Sequence, residues 1–189
     1  MPKPLMKATA KTFVTDKGFD QAMKEIAKAR AGSFVKVGIQ SDAQKPENAE
    51  GLTMQELAAV HEFGTTKAGK KKNITIPERS FIRTTMDEKR GQLNTLTDKL
   101  LVQVTLGQFK MKRALQILGE FIETSIKRKI TILQDPGNAP STVAKKGSSN
   151  PLIDTGRMRN SIRHKTVVKT KPVKRKVPVN GELNVGGGS

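Results

Sequence analysis

Apolar positions along the chain recur with two periods, and the elements follow from them. Between Gly18 and Ala31, Phe19, Met23, Ile26 and Ala27 fall at i, i+4, i+7 and i+8, which predicts a helix with that stripe on the core. Gly32 stops it. In Phe34–Ile39, Val35, Val37 and Ile39 alternate with period 2 and predict a short strand. Residues 40–51 are polar and hold Pro46 and Gly51, the marks of an exposed loop. Thr53 and Glu56 then have the spacing of a capping box, in which hydroxyl and carboxylate satisfy each other's free backbone N–H groups. The helix they open carries Met54, Leu57, Ala58 and His61 and ends at Gly64. Thr65 to Asn73, rich in lysine, is expected to be a mobile loop.

Two long helical patterns occupy the middle. From Ser80 to about Thr105, Phe81 and Met86 lead into Leu93, Leu96, Leu100 and Val104. From Gln108 to Ile130, Met111, Leu115, Leu118, Ile122 and Ile126 keep the same 3–4 spacing. Gly107 separates them, so they either pack as neighbours or part at a joint. Gly91 and Gly119 each cost their helix about 1 kcal/mol relative to Ala. A close backbone contact would account for such a glycine, and so would a tolerated defect.

Residues 134–151 are turn-rich and longer than an ordinary connection. Beyond them Asp154 is expected to cap a brief helix reaching Ile162, with Ile153 and Met158 forming a hydrophobic staple. A strand over Lys165–Val168 should follow. The last stretch, 169–189, has two Pro, four Gly and no helical stripe, and reads as an extended arm.

Composition changes this picture in three ways. There are 35 Lys or Arg against 17 Asp or Glu, a net charge of +18, which points to a polyanion or an acidic protein surface. Between Lys145 and Lys176 eleven basic residues face one acid, Asp154. Seven Phe without any Tyr or Trp supply base-stacking platforms poorly. Cysteine is absent, which excludes disulfides and thiolate chemistry, and two histidines make a His-rich metal centre improbable. No run approaches ~20 apolar residues, so no membrane span is expected, and the N-terminal segment lacks the apolar core of a secretion signal.

Catalytic motifs fail one by one. His61-Glu62 would need a second histidine where Thr65 stands to form a metalloprotease motif. Gly64 to Lys72 does not have the spacing of a phosphate-binding loop. Asp154, His164 and Ser161 hold the residue types of a triad but nothing in their spacing joins them. Asn73-Ile-Thr75 has the glycosylation pattern without a secretion signal. No catalytic residue, metal or cofactor is expected.

Three stretches together resemble the tail-completion and head–tail joining (neck) proteins of tailed bacteriophages, the minor tail protein Z type. Leu57-Ala-Ala-Val-His-Glu-Phe-Gly64 is similar to that family's A-x-x-x-E-F-G-T. Ile76-Pro-Glu-Arg-Ser-Phe-Ile-Arg83 is similar to I-P-x-R-P-F-L-R, with Ser80 where the family has proline. Asn150-Pro-Leu-Ile-Asp-Thr-Gly-Arg-Met-Arg-Asn-Ser-Ile162 is similar to P-L-I-D-T-G-x-L-x-x-S-I. Ala139 to Gly147 adds a weaker fourth match. Order and spacing agree over about residues 34–168. The tail beyond Val168 is outside the resemblance.

The fold class expected is α+β: a small, mostly antiparallel sheet packed by two long helices, with extended loops. The domain would run over 1–168 and the basic arm over 169–189. The resemblance implies a structural virion protein at the neck or tail, in a ring of its own copies, expected to be a hexamer. Its neighbours would be head-connector, tail-terminator or tail-tube proteins. The interface residues it implies are Glu62, Phe63, Gly64, Pro77, Arg79, Phe81, Arg83, Asp154, Thr155, Gly156 and Arg157. Among them Arg79, Arg83, Asp154 and Arg157 are candidates for salt bridges between subunits. Lys67, Lys70, Lys71, Lys72, Lys171, Lys174, Arg175 and Lys176 are candidates for contact with an acidic partner or with passing DNA. A lumen that held DNA permanently would hinder ejection, so most of the basic surface is expected to face acidic proteins. The competing expectation, from a different class, is a nucleic-acid-binding protein using the basic arm.

Overall fold

A computed structural model describes residues 18–40, 52–69 and 71–170. Its elements run α1 (Phe19–Arg30), β1 (Phe34–Ile39), α2 (Met54–Phe63), β2 (Thr65–Ala68), β3 (Ile74–Ile76), α3 (Arg83–Thr105), α4 (Met111–Ile132), α5 (Pro140–Lys146), α6 (Arg157–Ser161) and β4 (Ile162–Val167). The fold is α+β. The expected sheet is two separate antiparallel pairs: β1 with β4, from Phe34 opposite Val167 to Ile39 opposite Ile162, and the hairpin β2–β3. Residues 41–51 of the expected polar loop and the arm from 171 onward lie outside the described residues.

Helix α4 is the spine. Its apolar stripe holds, with Met111, Leu115, Ile122, Ile126 and Ile130 buried. Its first turns pack with Leu100 and Val104 of α3. Its later turns pack with Met54 of α2, Phe81, Leu152, Met158 and Ile162. Each large apolar side chain fully buried there stabilises the fold by about 1.5–3 kcal/mol. The strands β1 and β4 lie against α4. At Gly107 (φ +72°) the chain reverses so that α3 and α4 form an antiparallel hairpin, tied near its far end by Lys129 Nζ to Glu88 Oε1 at 2.6 Å. The two helices are neighbours, not jointed segments.

Several expectations need correction. The stripe on α1 faces outward: Phe19 and Met23 are exposed, while Ala22 and Glu25 are buried. The reason is ionic. The Glu25 carboxylate accepts the backbone N–H of Met111 at 2.8 Å, the first residue of α4, and also takes Lys28 Nζ at 2.6 Å. An acid at a helix N-terminus satisfies orphan donors and the macrodipole together, and here it sets the roll of α1. On α3, Met86 is exposed and Thr85 is buried instead, its hydroxyl donating to Phe81 O at 2.6 Å. Of the lysine-rich stretch expected as a loop, Thr65–Ala68 forms β2 and pairs with β3, while residues 71–73 belong to the turn between them, and the turn-rich 134–151 contains α5. Asp154 does not cap α6: the N-cap is Gly156 at φ +74°, with no side-chain cap, so the Ile153–Met158 staple does not form around Asp154. The Thr53–Glu56 capping box is present.

Candidate functional site

Helix α3 carries no side-chain cap on its own N-cap residue, Ile82. Its cap comes from α2. Glu62, the penultimate residue of α2, is buried, and its Oε2 accepts the N–H groups of Phe81 and Ile82 at 2.8 and 2.9 Å. Its Oε1 accepts the N–H of Arg83 at 2.9 Å, the hydroxyl of Ser80 at 2.9 Å and Arg83 Nε at 3.2 Å. Burial pushes this carboxyl up, but the hydrogen bonds from Ile82, Arg83, Ser80 and Phe81 outweigh it and hold the group below the usual carboxylate range. Arg83 clamps the arrangement, donating to Glu62 O at 2.8 Å and Glu78 Oε1 at 2.7 Å with its guanidinium 4.7 Å over the exposed Phe63 ring.

The two chain segments approach too closely for a side chain at Gly64. A Cβ there would sit 2.8 Å from Glu78 N and 3.0 Å from Ile76 O, at φ +70°. The N–H of Arg79 donates to His61 O at 2.7 Å and closes the contact.

Arg79 extends the network to the third stretch. It is buried, and its Nε and Nη2 donate to the carbonyls of Pro136 and Gly137, both at 2.7 Å. Nη2 also reaches Asn138 Oδ1 at 3.4 Å. Asn138 Nδ2 donates to Asn150 O at 3.3 Å, as does Lys146 Nζ at 3.1 Å. Asn150 then folds its own turn: Oδ1 accepts the N–H groups of Leu152 and Ile153 at 3.0 and 2.9 Å, and Nδ2 donates to Thr131 O at 2.9 Å. Leu152 enters the core. One hydrogen-bonded hub therefore joins the segments around Glu62, Arg79 and Asn150.

Beside the hub, a cleft of about 740 Å³ opens between the β2–β3 hairpin and the turn leading into α6. Leu57, Val60, Ile76 and Leu152 supply apolar wall, and Lys67, Lys72, Lys146 and Arg157 supply cations against one carboxylate, Asp154. His61 also lines it. Its Nδ1 is shielded from solvent without a hydrogen-bond partner, and burial with the charges of Arg79 and Lys146 pushes the ring down to about 4. It is neutral at pH 7.

The sequence candidates divide accordingly. Glu62, Gly64, Arg79, Phe81 and Arg83 meet in the hub, with Phe81 fully buried, and Pro77 is exposed beside it. Arg79 and Arg83, expected to bridge subunits, make these bonds within the chain. Asp154, Thr155, Gly156 and Arg157 form the cleft rim with Lys67 and Lys72. Lys71 is exposed on the hairpin turn. Lys70, Lys171, Lys174, Arg175 and Lys176 lie outside the described residues. His164 pairs with Glu123, Nδ1 to Oε2 at 2.6 Å, and Ser161 Oγ donates to Arg157 O, so the imagined triad with Asp154 does not assemble. Among the described residues no three His, Asp or Glu gather as metal ligands, and no helix is long and apolar enough to cross a membrane.

Sequence reasoning missed the bridging roles of Asn138, Asn150 and Glu25. Asn150 directly before Pro151 is a turn signal that could have been used. The other two act across the fold and leave no local pattern. No protein-family model, curated protein or solved structure matches the chain.

Proposed function

We propose that the chain is a structural virion protein of a tailed bacteriophage, a ring subunit at the neck or tail end that completes the tail and joins it to the head. One observation supports this reading above the rest: the Glu62, Arg79–Arg83 and Asn150–Leu152 segments, which carry the family resemblance, make one another's hydrogen bonds. The motifs thus describe a shared framework, as suits a protein whose work is shape. Around that framework stand the groups a neighbour would meet: the lysine-bearing hairpin, the Asp154–Arg157 rim and Phe63. A closed ring repeats one head-to-tail contact about an axis, so hairpin and rim of adjacent copies need complementary surfaces only once each.

The test is the oligomeric state and its place. Light scattering and negative-stain imaging of the purified chain should give closed rings, and labelling of intact particles should put it at the head–tail junction. The same particles should lose tails when residues 169–189 are removed, with the fold intact. A monomer that binds duplex DNA with steep salt dependence, lost on that truncation, would establish the nucleic-acid reading instead.

A further inference from the structure

The cleft beside the hub has two kinds of wall, and together they specify an occupant. Apolar side chains of α2 and β3, Leu57, Val60 and Ile76, form one surface, and the cations Lys67, Lys72, Lys146 and Arg157 surround it with Asp154 as the single counter-charge. Arg79, which does not line the cleft, adds its positive charge beside His61 to that of Lys146, which does. Among the described residues β2 and β3 pair only with each other, which leaves outer strand edges for addition of a further strand.

We propose that this cleft holds an extended acidic segment of a partner protein, with carboxylates toward Lys67, Lys72, Lys146 and Arg157 and alternate apolar side chains on Leu57, Val60 and Ile76. Period-2 alternation gives an extended segment one apolar face for Leu57, Val60 and Ile76 and one acidic face for the surrounding cations. The volume, about 740 Å³, is that of an ordinary ligand-binding cleft. Nucleic acid fits less well: no Phe, Tyr or Trp lines the cleft to stack a base, and phosphates would leave the apolar wall uncovered. The Lys-rich arm of a second copy is excluded by like charge. The proposal rests on the ring reading for the source of the segment, a neighbouring virion protein, and on the cleft alone for its chemistry.

Fluorescence anisotropy of the full chain with a labelled Leu-Asp-Leu-Glu-Val-Asp peptide tests it, at ~0.15 M ionic strength where exposed charges more than about 8 Å apart are screened. The acidic peptide should bind and its Leu-Lys-Leu-Lys-Val-Lys counterpart should not. The Lys67→Glu/Lys72→Glu double variant should weaken binding at least about tenfold, with unchanged circular dichroism. Reversal at Lys99 and Lys112, outside the cleft, should leave binding as it was. Ring resonances of His61, one of two histidines in the chain, should move on titration and those of His164 should not. Absence of binding, equal binding of the basic peptide, indifference to the Lys67/Lys72 reversal, or displacement of the peptide by a duplex oligonucleotide would each overturn the proposal. Peptide binding by a chain that never forms rings would sink the ring reading alone, and rings with an inert cleft would sink only the proposal.

Discussion

The imidazole of His164 occupies the space that a side chain on residue 119 would need. A Cβ built on Gly119 lies 2.6 Å from His164 Cδ2 and 2.9 Å from its Cβ, and the ring cannot swing away freely because Glu123 holds both its Nδ1 and the His164 N–H. Glycine at this point of α4 lets β4 come down onto the helix. Gly91, in the exposed middle of α3, has nothing within 4 Å of its missing Cβ.

These two glycines should therefore respond oppositely to alanine. Gly91→Ala should raise stability by about 0.5–1 kcal/mol, the helix-propensity gain alone. Gly119→Ala should lower it by about 1–3 kcal/mol, as overpacking exceeds that gain. Urea denaturation of both variants checks the pair, and equal effects would contradict the packing account.

Glu62 is the cap of a helix to which it does not belong. Glu62→Gln keeps the shape but removes the charge and one acceptor oxygen, leaving N–H groups at the entry to α3, among those of Phe81, Ile82 and Arg83, unsatisfied. A loss of about 3 kcal/mol is expected, the lower end for breaking a buried ionic contact. Thr53, capping α2 in a solvent-exposed box, should cost only about 1 kcal/mol on replacement by Ala. Amide exchange would show the Glu62 effect concentrated in the first turn of α3.

Arg79→Lys preserves charge but cannot reach the carbonyls of Pro136 and Gly137 with a planar fork. Stability should fall by about 1.5–3 kcal/mol for the lost charge-assisted bonds. Limited proteolysis should then cut between residues 134 and 150 faster than in the parent chain. An unchanged cleavage pattern would show that the 134–150 segment is held by something else.

His61 makes stability depend on acid. Its folded-state value of about 4 lies below the ordinary 6.5, so between those pH values the unfolded chain takes up a proton that the folded chain refuses. Acid favours unfolding across that window, with a span worth roughly 3 kcal/mol at about 1.4 kcal/mol per pH unit. Glu62 and Glu123, both held low in the folded state, push in the same direction at lower pH. His61→Gln should flatten the stability profile between pH 6.5 and 4 while leaving the loss below it. A profile of unchanged slope would refute the assignment.

Much of the fold was legible because it rests on local periodicity. The stripe from Met111 to Ile126 placed α4, the alternation of Val35, Val37 and Ile39 placed β1, and Thr53 with Glu56 fixed the start of α2. What escaped depends on partners distant in sequence. Phe19 and Met23 obey helical spacing, yet Glu25 turns their face outward by reaching Met111, and no window around α1 contains that acceptor's donor. Helix α5 buries none of its residues and so has no stripe to find. Strand β2 is four residues long and β3 three, too short for period 2 to show, and the lysine-rich turn between them masks the pairing. For the site, the Glu62, Arg79 and Asn150 stretches could each be read singly, but Asn138, the residue that joins two of them, carries no periodic signal.

The partnership of Phe34 with Val167 brings together positions from nearly opposite ends of the described chain. During synthesis β1 emerges before its mate, which is not made until residues 162–167. The helical hairpin α3–α4, built from near neighbours, is ready well before that, so closure of this sheet is the slow, late step expected of a pairing with large sequence separation. Until then the unsatisfied edge of β1 is the nascent chain's sticky point, and chaperone dependence in the cell would trace to that one ribbon.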